Sequence, residues 1–445
     1  MENSFDIIII GGGPGGYKTA TYAASKGLTV LVVEKAEFGG TCLNCGCIPT
    51  KTYARNAEII QTLKEADIYG LDELSFSFNF KTAYERKNNV IDALRNGIST
   101  LLSAPGITVV KGEAVLKSAS SVSVNGEEYS AKNIIIATGS ESKTLPIADL
   151  DADMICDSTW LLSTDTLPKR ICIVGAGVIG MEFASILNSF GCEVSVVEFM
   201  KECLPALDGD IAKRLRKCLE KRGVAFYMQS GLKSAAKGKV VFEKKGKETE
   251  LETEKVLLAV GRKPNVDGLG LDEVGIAYDK KGITVTDMMQ TSVSGVYAIG
   301  DVNGRQMLAH AAEMQGKRAV NSILGLQDDI RFDIMPAAIF TNPEAACVGK
   351  TEELLKAEGV EYICQKHYYR ANGKALAMNE TEGMLKLLAG KDGLIIGCHV
   401  YGAHAADLVQ EVSVLMCRNT TLQQLHDMTP VSYTHLRAHE TDQYL

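Results

Sequence analysis

Three cysteines fall within six residues, Cys42-Leu43-Asn44-Cys45-Gly46-Cys47, while the rest of the twelve are scattered along the chain. A tight thiol cluster does one of two kinds of chemistry, metal binding or thiol–disulfide exchange. Cys42 and Cys45 make a C-x-x-C, which suits a redox helix start or half of a zinc site. The zinc reading lacks a second Cys or His pair at proper spacing nearby. In a regular helix the Cα atoms of Cys42 and Cys47 would stand roughly 8.7 Å apart. A disulfide needs less than about 7 Å, so that pair requires a distorted turn, for which Gly46 is suitable. Local geometry alone does not choose between the two pairings. Cys156, Cys172, Cys192 and Cys398 stand singly in apolar stretches, where cysteine behaves as a small hydrophobe.

The elements around the cluster repeat. Ile7-Ile8-Ile9-Ile10 reads as a buried parallel strand. It runs into Gly11-Gly12-Gly13-Pro14-Gly15-Gly16, a helix over Tyr17 to Lys26, and a strand from Thr29 to Val33 that ends on Glu34. Later, Ile171 to Val174 feeds Gly175-Ala176-Gly177-Val178-Ile179-Gly180, a helix reaching Phe190, and a strand from Glu193 that ends on Glu198. Both copies read Gly-x-Gly-x-x-Gly, and both place the acid 23 positions after the first glycine. In such a turn Gly11 and Gly175 make the bend, Gly13 and Gly177 let the backbone approach a pyrophosphate, and Gly16 and Gly180 pack helix on strand. The pyrophosphate sits on the unpaired N–H groups of the helix start, with Val178 and Ile179 in the second copy. The terminal carboxylate accepts from a ribose diol and repels a 2′-phosphate, so Glu198, with no Arg beside it, favours NAD over NADP.

Two nucleotide sites imply two nucleotides, and one bound flavin with one exchangeable nicotinamide accounts for them. Ile134 to Gly139 and Val256 to Gly261 read as matching strands that close the far side of each nucleotide domain. Gly295 to Asp301 is a further strand, whose Asp301 would bond a flavin ribityl chain or simply cap a turn.

The bulk numbers narrow the class. At 445 residues the chain is too long for one core. A net charge of −8 and a pI near 5.6 argue against a nucleic-acid binder. No apolar run is long enough to cross a membrane, and Ser4-Phe5-Asp6 leads straight into a strand with no export signal, so the cytoplasm is expected.

Gly39-Gly40-Thr41-Cys42-Leu43-Asn44-Cys45-Gly46-Cys47-Ile48-Pro49-Thr50-Lys51 resembles the redox-disulfide segment of the dihydrolipoamide dehydrogenases, within the pyridine nucleotide–disulfide reductase group. That segment reads G-G-T-C-L-N-x-G-C-I-P-[ST]-K, and Cys45 falls at its variable position. The likeness runs from about Phe5 to Met428. It includes Gly261-Arg262-Lys263-Pro264-Asn265 and Met307-Leu308-Ala309-His310. It implies an α/β fold with two Rossmann-like nucleotide-binding domains (FAD and NAD) and an α+β C-terminal dimerisation domain. The expected boundaries are 1–142 and 266–333 for FAD, 143–265 for NAD, and 334–430 for dimerisation, which Pro336 to Thr341 opens and an amphipathic helix from Ala406 to Cys417 follows.

The same resemblance implies the roles. Cys42 exchanges with the substrate dithiol, and Cys47 lies against the flavin as a thiolate donor. Lys51 sits near the flavin and pairs with Glu182 on the nicotinamide side. Glu34, Gly112, Thr138, Gly139, Ser140, Asp301, Met307, Leu308, Ala309 and His310 contact FAD, and Gly261 contacts NAD with the second glycine motif. The implied reaction is oxidation of protein-bound dihydrolipoamide with reduction of NAD+. The implied partners are a second copy of the chain and a lipoyl-carrying protein of a 2-oxoacid dehydrogenase or glycine-cleavage-type system. The alternatives are another flavin disulfide reductase, acting on glutathione disulfide or mercuric ion, and a complex component that binds FAD without catalysis.

One part of the pattern is missing. The family ends in H-P-T-x-S-E, whose His is the acid–base and whose Glu orients it. In register, Ser432 stands at the His and Arg437 at the Glu. His435 and Glu440 keep the five-residue spacing but are shifted by three, and His426 and His439 are further candidates. The run from Ser432 to Thr441 resembles read-through of a sequencing adapter, so residues after about Thr429, and 431–445 in particular, are expected to be non-native.

Overall fold

The structure, a computed structural model, describes residues 3–147 and 149–429. They form two compact units. The first holds the chain up to Thr52 together with Lys81–Lys143 and Gly261–Ile330, and the second holds Tyr53–Phe80, Thr144–Val260 and the chain from Arg331.

In the first unit β1 (Ser4–Ile10), β2 (Val30–Glu34), β3 (Ile107–Lys111), β4 (Ala114–Ser118), β5 (Ser121–Val124) and β6 (Glu127–Ile136) lie in the order β3-β2-β1-β6-β5-β4. Ile7 to Ile9 are fully buried, so β1 reads as an unbroken apolar run because both its faces are covered. Register aligns Ile10 with Val33 and with Ile136, all parallel. The residues that follow, Gly11, Glu34 and Thr138, therefore emerge at one sheet edge, at the point where the chain winds off in two directions.

The strand that ends at Ile136 does not close the far side of the domain. It lies directly beside β1, and its other edge is shared by β5 and by Val296–Ala298. Ile134, Ile135 and Ile136 are fully buried, which a parallel strand achieves only with neighbours on both edges. The second copy repeats this: Lys255–Leu258 lies beside Arg170–Val174, with Ile155–Cys156 beyond it.

The second unit carries that parallel sheet, a three-stranded antiparallel sheet (Gly231–Ala236, Lys239–Lys244, Lys247–Glu252), and a five-stranded antiparallel sheet built from residues 337–401. Helix Ala405–Cys417 packs on the last of these through Leu408, Val409, Val412 and Met416, against Val348, Leu385, Leu387 and Val400. Cys156, Cys172 and Cys192 are buried, and burial pushes the first two thiols up to about 12 and the third to about 11, which keeps them inert.

A buried ionic cluster ties helix Gly209–Lys221 to the antiparallel sheet. Lys386 is 1% exposed and Asp208 is fully buried. The Lys386 ammonium donates to Asp208 Oδ1 and Oδ2 at 2.7 and 2.8 Å, to Asp210 Oδ2 at 3.3 Å, and pairs with Glu352. Asp208 also accepts from the N–H groups of Asp210 and Glu352, both at 3.1 Å. Burial works against the Glu352 carboxylate, yet hydrogen bonds from Lys386, Tyr362 and Lys356 and the Lys386 charge hold it down at about 2. His399 Nδ1 accepts from the Asp208 N–H at 3.2 Å, Nε2 faces the Lys350 carbonyl at 3.0 Å, and burial pushes the imidazole below its ordinary 6.5.

Lys386→Met leaves the Asp208 carboxylate buried without its cation and should lower unfolding free energy by about 3–5 kcal/mol in urea titration. Adding Asp208→Asn should recover part of that loss. Acid should act in two windows. His399 is kept neutral by the fold, so stability falls as pH drops below 6.5; Glu352 adds its loss from 4.5 down towards 2. In His399→Asn, whose amide oxygen replaces Nδ1 as acceptor, the fall of the urea midpoint between neutrality and mild acid should shrink, and an unchanged fall would assign it to other groups.

Candidate functional site

The two glycine turns match in detail. The Gly12 N–H donates to Glu34 Oε2 at 2.6 Å, and the Ala36 N–H to Oε1 at 2.7 Å. The Ala176 N–H donates to Glu198 Oε2 at 2.5 Å, and the Met200 N–H to Oε1 at 2.6 Å. Each carboxylate has acceptor capacity left for a ribose diol. The outer glycines are set by packing. A Cβ on Gly16 would lie 1.8 Å from the Gly11 carbonyl oxygen, and one on Gly180 would lie 1.9 Å from that of Gly175. Gly11 and Gly175 hold φ of +113° and +104°.

The middle glycines obey a different constraint. Gly13 and Gly177 have φ of −70° and −74°, open to any residue. A Cβ at Gly13 would meet only Gly40 Cα, at 3.8 Å, and at Gly177 no described atom within 4 Å. What glycine preserves there is open room over a helix N-terminus that takes no side-chain cap, in Pro14–Ser25 (α1) and again in Val178–Ser189, where Val178 and Ile179 open the helix. A dinucleotide pyrophosphate fits both places.

The other residues expected on the flavin side lie in the same unit. The Gly112 N–H donates to the Glu34 carbonyl at 3.0 Å. The Ser140 hydroxyl donates to Asp301 Oδ2 at 2.5 Å and accepts from Arg262 Nε at 2.7 Å. Thr138 and Asn265 exchange hydrogen bonds of 2.8 and 3.0 Å, and the Asn265 N–H donates to Gly139, which has φ +73°. Lys143 N–H donates to the Gly261 carbonyl, so residues 138–143 and 261–265 zip together. Met307 is exposed, and Leu308 precedes helix Ala309–Ile323 at an N-terminus with no side-chain cap, with the exposed His310 in its first turn. Arg262, which spacing does not reveal, joins this group through Ser140; its sequence signal is its place in the Gly261–Asn265 run.

At the cysteines, helix α2 (Gly40–Cys45) ends and α3 (Cys47–Lys64) begins across Gly46, whose φ, ψ of −149° and −109° interrupt the helix. Cys42 hydrogen-bonds the Cys47 side chain. That bond, burial and the Cys47 charge push the Cys42 thiol far above its ordinary value, while the Lys51 ammonium pulls the other way. The structure thus brings Cys42, Cys47 and Lys51 together, with Cys47 at the first turn of an 18-residue helix. The Asn44 amide donates to the carbonyls of Gly40 and Phe38 at 2.9 and 3.1 Å, and its oxygen accepts from Arg95 Nε at 2.7 Å. Arg95 stands 51 residues downstream on helix Phe80–Leu102 (α4), with no sequence signal joining it to the cluster. Tyr17 on α1 is raised by burial and then by Cys42 and Glu313.

In the second unit Glu182 Oε1 accepts from the Phe340 N–H at 2.9 Å. His426 is exposed beside Asp427 at 3.3 Å. Ser432, His435, Arg437, His439 and Glu440 lie outside the described residues. Among the described residues no group of three His, Cys, Asp or Glu is arranged to hold a metal, and no helix is long and apolar enough to cross a membrane.

Residues 5–316 match the pyridine nucleotide-disulphide oxidoreductase family, and residues 335–440 match its dimerisation domain. The chain is 35% identical to a dihydrolipoyl dehydrogenase of Chlamydia muridarum, over 99% of this chain and 95% of that one. It is 37% identical to one from Bacillus subtilis, over 95% and 93%, and 39% identical to a leghemoglobin reductase of Glycine max, over 92% and 82%. Among solved structures it resembles the HOCl-induced flavoprotein disulfide reductase RclA from Escherichia coli, with TM-score 0.86, 28% identity and 97% of each chain covered. Two nucleotide cradles of one design, a thiol pair at a broken helix and matches that run through the dimerisation domain lead to one conclusion: the chain belongs to the pyridine nucleotide-disulphide oxidoreductase family, enzymes that use FAD and NAD.

Proposed function

We propose that this enzyme oxidises a protein-bound dihydrolipoyl dithiol to its disulfide, that NAD+ takes the electrons, and that it works as a homodimer. The observation that carries the reading is the Cys42–Cys47 contact across the Gly46 break, in a segment worded like that of the lipoamide branch from Gly39 to Lys51. The dihydrolipoyl dehydrogenase relatives and the dimerisation-domain match support it.

FAD and NAD, when bound, supply the hydride chemistry. The residues supply the rest. A substrate thiolate attacks Cys42 Sγ of the oxidised pair; the bond to Cys47 breaks, and Cys47 leaves as a thiolate. The second substrate thiolate then attacks the sulfur held on Cys42, closing the substrate disulfide and freeing Cys42. The two cysteines divide the charge. Cys42 is driven towards the protonated thiol by Cys47 and by burial, against the pull of the Lys51 cation, and Cys47 stands in the N-terminal dipole of α3. The proton traffic at the substrate thiols needs a base, and the described residues end before the tail in which the family carries it.

The likeness to RclA supports a second reading, reduction of a different disulfide. A steady-state assay decides: dihydrolipoamide with NAD+ should turn over faster than NADH with glutathione disulfide or other small disulfides, and the reverse order would overturn the lipoamide assignment.

Three further outcomes follow from the site. Gly177→Ala should keep the thermal midpoint and FAD content while weakening NAD+ binding at least about tenfold in titration, because the methyl occupies the pyrophosphate approach. Gly180→Ala should instead unfold the nicotinamide domain, since its Cβ meets the Gly175 oxygen. With the tail Ser432–Leu445 as written, dihydrolipoamide turnover should run about 10²–10⁴-fold below that of a chimera carrying the H-P-T-x-S-E ending, while NADH-driven reduction of an artificial acceptor is kept. Equal rates would show that the motif is dispensable here, and recovery of the same tail from genomic DNA would establish it as native.

A further inference from the structure

Cys45 is the member of the cluster left without a role above. It is the last residue of α2, one turn after Cys42 on the same helix. At that spacing helix geometry sets the Cα atoms about 5 Å apart, inside the roughly 4.4–6.8 Å range of disulfides. The helix stops directly after it at Gly46, and Cys42, Cys45 and Cys47 are all partly exposed. The short helix is pinned, because Asn44, next to Cys45, donates to the carbonyls of Phe38 and Gly40 and accepts from Arg95. Cys42 therefore stands on a fixed turn with one thiol partner across the Gly46 break and a second one turn along its own helix.

We propose that Cys45 is a second resolving thiol for Cys42, an inference that rests on the interchange role given to Cys42 above. When a thiol compound is captured on Cys42 as a mixed disulfide, the Cys45 thiolate attacks Cys42 Sγ. The Cys42–Cys45 bond forms, the bond to the captured sulfur breaks, and that compound leaves as a thiolate that takes up the proton Cys45 released. Attack of the Cys47 thiolate on Cys42 Sγ then restores the Cys42–Cys47 disulfide and returns Cys45 as a thiol. No electrons are gained or lost in either exchange. The consequence is that a monothiol trapped on Cys42 is expelled even when Cys47 is engaged elsewhere.

The test uses the full FAD-loaded chain as Cys47→Ser and as the Cys45→Ser/Cys47→Ser double variant, each treated with 5,5′-dithiobis(2-nitrobenzoate). Retained flavin absorbance reports the fold. In the double variant the tryptic peptide Ala36–Lys51 should carry a lasting nitrothiobenzoate adduct on Cys42. In Cys47→Ser the adduct should decay more than about tenfold faster, because the attack is intramolecular, and leave the peptide lighter by two hydrogens. An adduct equally long-lived in both variants overturns the proposal and leaves the interchange role of Cys42 standing. No adduct on Cys42 in either variant overturns that role, and the proposal with it. If the variants do not fold, the unaltered enzyme titrated with glutathione disulfide decides. Fragments cleaved between Cys45 and Cys47 report a Cys42–Cys45 link; their absence at every stage rules it out.

Discussion

A Cβ at position 46 would lie 2.9 Å from the Thr41 carbonyl oxygen, and the backbone there takes φ, ψ of −149° and −109°. Glycine is the residue that lets the chain leave one helix and begin another at this point. Without the interruption, Cys42 and Cys47 would lie on one regular helix, too far apart for their sulfurs to meet. With it, Cys47 becomes the first residue of α3 and gains the unpaired N–H groups and positive end of a long helix dipole. One backbone constraint thus sets both the contact between the two thiols and the division of charge between them.

The surroundings of that turn are rigid for reasons that differ from place to place. The parallel sheet is close-packed, with β1 and β2 almost wholly buried, so its carboxyl edge is a fixed rim for Gly11, Glu34 and Thr138. The rim is then tied by polar contacts: Ser140 bridges Asp301 and Arg262, and Asn44 bridges α2 and Arg95. Hydrogen bonds of this kind contribute little net stability, but they fix direction, and a thiol or a ribityl contact depends on direction. The Asp208–Lys386–Glu352 cluster in the second unit is different. Lys386 and Asp208 are buried, and the cluster's role is to register a helix against a sheet.

Much of the site was readable along the chain because its determinants are local. A glycine motif, an acid at the next strand end and a cysteine cluster each occupy a short window, and their physical demands (tight turn, close approach, helix start) are met by neighbours in sequence. Strand order was less readable. The run before Thr138 carries the apolar pattern of any buried strand, and nothing in Ile134 to Ile136 says that it borders β1 rather than the sheet's edge. The tail beyond Thr429 falls outside the described residues, so the missing acid–base motif stands as a reading of the sequence.

By itself the sequence determined that two dinucleotide turns exist, that each ends in a carboxylate, and that Cys42 has two thiols within reach. It left the pairing open, because Gly46 permits a helix break at that point without requiring one; the folded backbone there brings Cys47 to Cys42. Tertiary structure decided what depends on distant partners: Arg95 holding Asn44, Arg262 and Asp301 meeting at Ser140, and Lys386 neutralising Asp208 across 178 residues. Such pairs leave no periodic trace in the chain. Each is created when two separately specified elements pack, and only then do their charges and donors find one another.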